Sequence, residues 1–253
     1  NGRSYVLSMD GEVLVDDSLT QRLLPPAPEL PRLRGPPACG RAHCVAVDAA
    51  LGMALSWATA PEGGRFGQLG WAQGTRSESG RVPLYKARPV EMPASAGEVM
   101  TVAAGDAHTA LVDSHGGLWL CGCDRWTQLG QDVLWAKGCV WQRTPKIVPS
   151  LRARGVQVTQ AACGADHTLA LDVRGSVWAF GRGEHGQLFG ASRKVFTAPP
   201  SESWELSRAQ GIGSDVVRVS AAGNCSCAYF AEDVVRCIGQ CKRRGAAAGG
   251  PIP

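Results

Sequence analysis

The stretch Cys163-Gly-Ala-Asp-His-Thr-Leu-Ala-Leu-Asp172 decides the fold, because the chain contains two closely related stretches. They are Ala104-Gly-Asp-Ala-His-Thr-Ala-Leu-Val-Asp113 and Cys39-Gly-Arg-Ala-His-Cys-Val-Ala-Val-Asp48. Their glycines are 65 and 59 residues apart, and their histidines follow the same steps: Gly40, Gly105, Gly164, His43, His108 and His167. Self-similarity at a fixed period indicates a repeat architecture.

Each opening stretch is followed by two further blocks. The first is a strand-like block, best seen in Gly175-Ser-Val-Trp-Ala-Phe-Gly181, and the second is a corner with a glutamine. The corner glutamines lie 60 and 59 residues apart, at Gln68, Gln128 and Gln187. Two outer copies of the opening are degenerate, with Tyr5 and Ser226 in place of the histidine.

Short alternating runs such as Thr168 to Leu171 and Val177 to Phe180 predict antiparallel strands joined by a hairpin. A further extended segment precedes each opening, and a Pro-containing segment supplies another strand, which makes about four strands per repeat. Four-stranded sheets that repeat around an axis form a β-propeller, in which each blade buries its faces against its neighbours. The sequence therefore predicts an all-β propeller.

These blocks resemble the repeat of the regulator of chromosome condensation family, in which Gly-x-x-His-x-x-Ala-Leu precedes a Gly-x-Val-Trp strand and a Gly-Gln-Leu-Gly corner. The resemblance implies a propeller of about seven blades in a closed ring. At a period of 59, however, 253 residues give only about four and a half repeats. We therefore expect an open arc of four to five blades, completed by repeats outside this sequence or covered by partners. A small closed ring is the alternative.

The repeats predict the domain organisation. Residues 1–242 form the propeller repeats, and residues 243–253 form a flexible basic and Gly-Ala tail. The repeats are 1–38, which is degenerate, then 39–103, 104–162, 163–222 and a partial copy at 223–242.

Composition and charge exclude several classes of protein. A net charge of +4 is too small to indicate nucleic acid or an anionic membrane as the main partner. No apolar run approaches the length of a membrane span. Arginine outnumbers lysine 21 to 5, which keeps nucleic-acid contact as an alternative.

Ten cysteines without a visible secretory signal predict small buried thiols in a reducing, intracellular compartment, either the cytoplasm or an organelle such as the mitochondrion. We do not expect secretion. Four cysteines, at 225, 227, 237 and 241, raise the alternative of a zinc site. Their spacing departs from the usual zinc knuckle, so we expect no metal site.

We expect structural rather than catalytic roles for the repeated polar residues. A histidine beside a tight glycine turn can satisfy buried backbone groups, and equivalent histidines in different blades do not converge on one metal. The segment Gly181-Arg-Gly-Glu-His-Gly186 matches a dinucleotide fingerprint, but the repeat explains it better. The sequence thus predicts no catalytic, cofactor-binding or metal-binding residues, and no cofactor.

Aromatic residues beside arginine in the variable segments are candidate interface anchors. They are Arg125, Trp126, Trp135, Trp141, Arg143 and Trp204. The expected function is a non-catalytic protein-protein interaction scaffold, a structural subunit of a large intracellular assembly of organellar-ribosome or cytoskeletal and ciliary type. The expected partners are other protein subunits. The resemblance also implies an alternative, guanine-nucleotide exchange on a small GTPase.

Overall fold

The fold is described from a computed structural model, which places residues 3–7, 13–17, 22–24, 30–60, 62–72, 76–77, 80–81, 86–131, 140–190, 207–210 and 212–241. The expectations for Trp135, Trp204 and the 243–253 tail lie outside these residues. Strands dominate this part of the chain, together with one short helix, α1 (Pro149–Ala153).

Five antiparallel sheets follow one another along the chain. The first sheet contains β1 (Arg3–Leu7), β2 (Val13–Asp17) and β3 (Arg22–Leu24). The second contains β4 (Ala38–Cys39), β5 (His43–Val47), β6 (Ala54–Ala58) and β9 (Arg88–Pro89). Between its last two strands, β7 (Arg76–Ser77) and β8 (Gly80–Arg81) form a separate ribbon.

The third and fourth sheets are four-stranded and share one order. The third contains β10 (Val99–Ala104), β11 (His108–Asp113), β12 (Leu118–Cys123) and β13 (Trp141–Ile147). The fourth contains β14 (Val158–Cys163), β15 (His167–Asp172), β16 (Val177–Gly181) and β17 (Ser207–Arg208). The fifth has three strands, β18 (Val216–Ala222), β19 (Cys225–Phe230) and β20 (Val235–Gly239).

The hydrophobic core lies between consecutive sheets. One cluster joins the second and third sheets, one joins the third and fourth, and one joins the fourth and fifth. Strands β5, β11 and β15 are therefore buried along their whole length, since each is covered on both sides. In contrast, β20 of the fifth sheet is mostly exposed.

The first strands of neighbouring sheets lie beside one another, with β10 against β14 and β14 against β18. Sheets that meet through their first strands are arranged radially, as propeller blades are. The predicted all-β propeller fold is confirmed, and within the described residues the blades form an open arc.

The predicted alignment of the fifth repeat was wrong by one residue. In the strand register, Cys225 pairs with Gly239 as His167 pairs with Gly181. Cys225 therefore occupies the histidine position, and Ser226 occupies the position of Thr168. The sequence placed Ser226 there by counting three residues on from Gly223, whereas the register puts Ala222 at the position of Gly164.

Candidate functional site

The strands of the arc end at two opposite faces. The turns that contain Gly40, Gly105 and Gly164 lie at the same end of their sheets as the glutamine corners, because His43 pairs with Ala58 at the end of β6. We call this end the corner face. The tight hairpins between β5 and β6, β11 and β12, and β15 and β16 lie at the other end, the hairpin face.

Each repeated histidine contacts the next sheet through a hydroxyl group. Nε2 of His43 lies 2.7 Å from Oγ1 of Thr109, and Nε2 of His108 lies 3.1 Å from Oγ1 of Thr168. Nε2 of His167 lies 2.7 Å from Oγ of Ser226. The partner of each Nε2 is a side-chain hydroxyl in the following sheet, whereas the sequence suggested backbone groups.

The threonine hydroxyls also fix the histidine tautomer. Thr109 donates to the backbone carbonyl of Gln68, and Thr168 donates to that of Gln128, each at 2.7 Å. A hydroxyl has one proton, so each threonine oxygen accepts its second hydrogen bond. His43 and His108 therefore donate through Nε2–H, and the chain of bonds runs from histidine to threonine to glutamine carbonyl.

Burial keeps these histidines neutral. It lowers the pKa of His43 and of His167 to about 4. The pKa of His108 falls to about 3, because burial and then the neighbouring His167 and His43 both oppose a positive charge. All three side chains are inaccessible to solvent, so a substrate cannot reach them.

The glycines before these histidines allow neighbouring sheets to approach closely. A Cβ atom at Gly40 would overlap the carbonyl oxygen of Gly105. At Gly105 it would lie 2.5 Å from the carbonyl oxygen of Gly164, and at Gly164 it would lie 2.7 Å from that of Gly223. This row of glycines lets the sheets meet backbone to backbone.

The repeated glutamines hold the corners. Oε1 of Gln68 accepts a hydrogen bond from the backbone N–H of Phe66 at 2.9 Å, and Oε1 of Gln128 accepts one from Trp126 at 2.7 Å. Gln187 accepts in the same way from His185. Each glutamine is almost fully buried, and the residue that it anchors lies on the corner face.

Trp126 is one of these anchored residues, and two arginines contact it. The guanidinium carbons of Arg125 and Arg182 lie 5.4 and 4.7 Å from the centre of its ring. Arg182 comes from the fourth sheet and forms ion pairs with Glu184 at 2.6 Å and Asp166 at 3.6 Å. The cluster thus spans the junction of the third and fourth sheets.

A second cluster spans the junction of the second and third sheets. Phe66 meets Trp141 edge to face at 6.0 Å between ring centres, and the Arg65 guanidinium lies 5.5 Å from the Phe66 ring. Trp141 is 50% exposed. Arg143 is also exposed, and its backbone lies where a Cβ on Gly67 would fall. We call both clusters together the aromatic–arginine surface: Arg65, Phe66, Arg125, Trp126, Trp141 and Arg182.

An aspartate at the end of each opening stretch accepts several hydrogen bonds, a role that the sequence analysis missed. Oδ1 of Asp113 accepts hydrogen bonds from the N–H groups of His115 and Gly117, and Oδ2 accepts one from the Trp119 indole at 2.7 Å. Asp172 holds Trp178 in the same way at 2.9 Å. The sequence contains a pattern that could have revealed this role, since an aspartate precedes a tryptophan by six residues in both repeats.

The expectation of buried free thiols is wrong for most described cysteines. Cys121 and Cys163 are free and buried. Disulfides join Cys39 to Cys44, Cys225 to Cys241 and Cys227 to Cys237. Two of these pairs are direct neighbours across antiparallel strands, a proximity that the strand register creates and that the residue spacing alone does not reveal.

Two kinds of feature are absent from the described residues. No group of three or more histidine, cysteine or acidic side chains in this part of the chain is placed to hold a metal ion as it stands. The helical content of the same residues includes no segment long and apolar enough to span a membrane.

Comparison with known proteins identifies the repeat. A family model described as the regulator of chromosome condensation (RCC1) repeat matches residues 115–171, and a second model with that description matches residues 158–187. The structure of human WBSCR16 superposes with a TM-score of 0.65 at 20% identity, over 94% of this chain and 59% of that one. Prp20p from Saccharomyces cerevisiae superposes with a TM-score of 0.61 at 22% identity, over 88% and 49%.

Three curated relatives are similar in sequence. The X-linked retinitis pigmentosa GTPase regulator homolog of Caenorhabditis elegans is 32% identical over 217 residues, which cover 78% of this chain and 14% of that protein. The mitochondrial RCC1 domain-containing protein RUG3 of Arabidopsis thaliana is 34% identical, over 56% and 29%. The human E3 ubiquitin-protein ligase HERC2 is 34% identical, over 59% and 3%. The chain thus spans less than a third of each of these relatives.

Proposed function

Because the chain is an RCC1-like repeat protein, we propose that it acts as a non-catalytic scaffold for protein-protein interaction. In this proposal it is a structural subunit of a large intracellular assembly, of organellar-ribosome or cytoskeletal and ciliary type. The curated relatives include a GTPase regulator homolog, a mitochondrial protein and a ubiquitin ligase. These relatives carry names that describe very different proteins, yet all are similar to this repeat. Such a distribution is what we expect of a module that binds partners.

The aromatic–arginine surface is the observation that carries the proposal. Tryptophan and arginine are the residues most enriched where interfaces concentrate their binding energy. Trp126 is already positioned by its own backbone bond to Gln128 and by Arg182, so little side-chain freedom remains to be lost on binding.

The chemistry of this surface indicates the kind of partner it would bind. Trp141 offers exposed apolar area, Arg125 is an exposed cation of the surface, and Arg143 is an exposed cation beside it. A partner segment with acidic side chains beside an aromatic or aliphatic anchor complements this combination. The buried histidines, whose pKa values lie near 3 to 4, hold the sheets together beneath the surface and take no part in contact.

The proposal is tested by comparing how much of the co-purifying protein is recovered with variants of the corner face and of the hairpin face. Trp126→Ala and Trp141→Ala should each reduce recovery of co-purifying proteins at least about 10-fold, because truncating an anchor of this kind costs about 2 kcal/mol or more. Leu51→Ala is the matched control, since Leu51 is 62% exposed on the hairpin face. Equal recovery by all three variants would contradict the proposal.

Guanine-nucleotide exchange is the second candidate. One relative is named a GTPase regulator homolog, and the solved structure of Prp20p is reported together with its binding to Gsp1p and histones. An exchange factor should bind a nucleotide-free GTPase and release it when GTP is added. A scaffold should keep its partners in GTP. Purification with and without GTP therefore distinguishes the two functions.

A further inference from the structure

The fifth sheet presents four sulfur atoms on one face. Cys225 and Cys227 are two residues apart on β19, so their side chains point to the same side, and their sulfurs lie 4.0 Å apart. Disulfides connect them to Cys241 and Cys237. All four cysteines therefore converge within one short segment of chain, at residues that are exposed or half-buried.

This face is the one through which each earlier sheet contacts the next. Leu169 and Ala179 of the fourth sheet pair in register as Cys227 and Cys237 do in the fifth, and both are buried in the core that joins the fourth and fifth sheets. Cys225 likewise occupies the position of His167. The packing residues of a blade are thus replaced by thiol-bearing residues where no further described sheet covers them.

We propose that, when reduced, Cys225, Cys227, Cys237 and Cys241 bind one Zn²⁺ ion. Zinc bound by four thiolates has Zn–S distances of about 2.3 Å in a tetrahedron, which places its sulfurs roughly 3.8 Å apart. The observed 4.0 Å between Cys225 and Cys227 is close to this value. The sulfurs of Cys237 and Cys241 are bonded to those of Cys227 and Cys225. After reduction, side-chain rotation is enough to move each pair of sulfurs apart.

The surrounding chain favours the charge of such a site. Four thiolates and one Zn²⁺ carry a net charge of −2, and neighbouring cations stabilise thiolates. Arg218 lies over the ring of Tyr229, which is on the cysteine face of β19, and the sequence after Cys241 is Lys-Arg-Arg. Backbone bonding also fixes the approach of the last ligand, since Gln240 N–H donates to the Asn224 carbonyl at 2.9 Å.

Conversion of the two disulfides to a zinc site takes two steps. Two molecules of a dithiol reductant reduce the two disulfides, each becoming a cyclic disulfide, and leave four thiols. The four thiols then bind Zn²⁺ and release four protons. In this proposal the same four residues form two disulfides when oxidised and a zinc site when reduced.

Zinc binding by the reduced chain tests this proposal. The full chain is reduced with a phosphine, which spares Zn²⁺ from chelation by a dithiol, and titrated with Zn²⁺ against a chromophoric indicator. We expect one equivalent to bind, and Co²⁺ in its place should give the sulfur charge-transfer absorption of a tetrahedral thiolate site. Zn²⁺ should protect these four cysteines from alkylation and leave the exposed Cys39 reactive.

Variants assign the site independently of the partner surface. Cys227→Ser and Cys237→Ser should weaken zinc binding on the order of 100-fold or more. Cys39→Ser is the control and should bind zinc as the parent does. Circular dichroism reports whether each variant folds, and alkylation of the unchanged protein gives an answer even if a variant does not. No zinc bound to the reduced, folded chain, or undiminished binding by Cys227→Ser, would overturn the proposal.

Discussion

At the residue scale, the stability of the arc depends on hydroxyl groups that connect one sheet to the next. Thr168 accepts from His108 and donates to the Gln128 carbonyl, and it is fully buried. Thr168→Val keeps the shape of the side chain but leaves a buried donor and a buried acceptor without a partner. We expect unfolding to become easier by about 2 to 4 kcal/mol, measured by urea denaturation.

Thr159→Val is the control for that substitution. Thr159 is exposed, and its hydroxyl bonds the Leu171 carbonyl at 3.2 Å within its own sheet. Its loss should change the free energy of unfolding by less than about 0.5 kcal/mol. If Thr168→Val were equally mild, the hydrogen bonds between sheets would not contribute as described.

The buried histidines make stability depend on pH. Their folded pKa values, about 4, 3 and 4, lie below the usual 6.5. Below pH 6.5 the unfolded chain takes up protons that the native chain does not, so stability falls until the pH reaches about 3 to 4. Each histidine contributes about 1.4 kcal/mol per pH unit in that window.

Two carboxyl groups work in the opposite direction, since burial also raises the pKa of Asp166. Burial raises the pKa of Asp124 to about 6, so below that pH the native state binds this proton more readily and recovers part of the loss. The net slope should therefore lie between one and two protons between pH 6 and 4. Urea denaturation across this range measures it, and His108→Asn should lower the slope by about one proton. A flat profile would mean that the histidines are accessible in the native state.

At the element scale, the hairpins depend on the aspartates that end the repeated openings. The Asp113 carboxylate accepts hydrogen bonds from two turn N–H groups and from the Trp119 indole. Asp113→Ala removes all of these bonds at a buried site. We expect a loss of about 2 to 4 kcal/mol in the free energy of unfolding. Asp215→Ala, at an exposed position before β18, should leave stability nearly unchanged.

The close contact between neighbouring sheets at the repeated glycines predicts that a larger residue there will destabilise the chain. An added methyl at Gly164 would overlap the His167 ring and approach the Gly223 carbonyl oxygen of the fifth sheet, 2.7 Å away. Gly164→Ala should destabilise the chain by about 1 to 3 kcal/mol in urea denaturation. Gly35→Ala is the matched control, because no atom lies within 4 Å of its added Cβ. Equal effects would show that the sheets can separate without cost.

Most of the strand arrangement follows from the sequence, because a repeat protein contains the same strand pattern several times. The repeated histidines His43, His108 and His167 begin β5, β11 and β15 and pair with equivalent residues of the next strand. The failures occurred in the fifth sheet, where Cys225 replaces the histidine and Ala222 replaces the glycine, so counting from Gly223 shifted the alignment by one residue. The disulfides were missed because pairing across strands depends on register, which residue spacing alone does not fix.

The candidate surface was only partly predictable. The sequence predicts Arg125, Trp126, Trp141 and Arg143 as interface anchors because aromatic residues stand beside arginine in variable segments. Arg182 and Phe66 were missed, since each belongs to another repeat and reaches its aromatic partner only when two sheets pack together. Contacts across a junction between sheets are properties of the assembled arc.

At the scale of the whole molecule, the arc joins rigid packing to an accessible face. The cores between sheets fix the blades, and the corner face displays side chains from three sheets together. A surface assembled in this way depends on the relative positions of the blades. Substitutions between the blades should therefore weaken partner binding even though they touch no partner.

The measurement that tests the account most directly is the native mass of the complex purified through this chain, with its components identified, in the presence and absence of GTP. We predict a large particle that keeps its partners in GTP and loses them with Trp126→Ala and Trp141→Ala. A small complex with one GTPase, dissociating on addition of GTP, would contradict the scaffold function and favour nucleotide exchange.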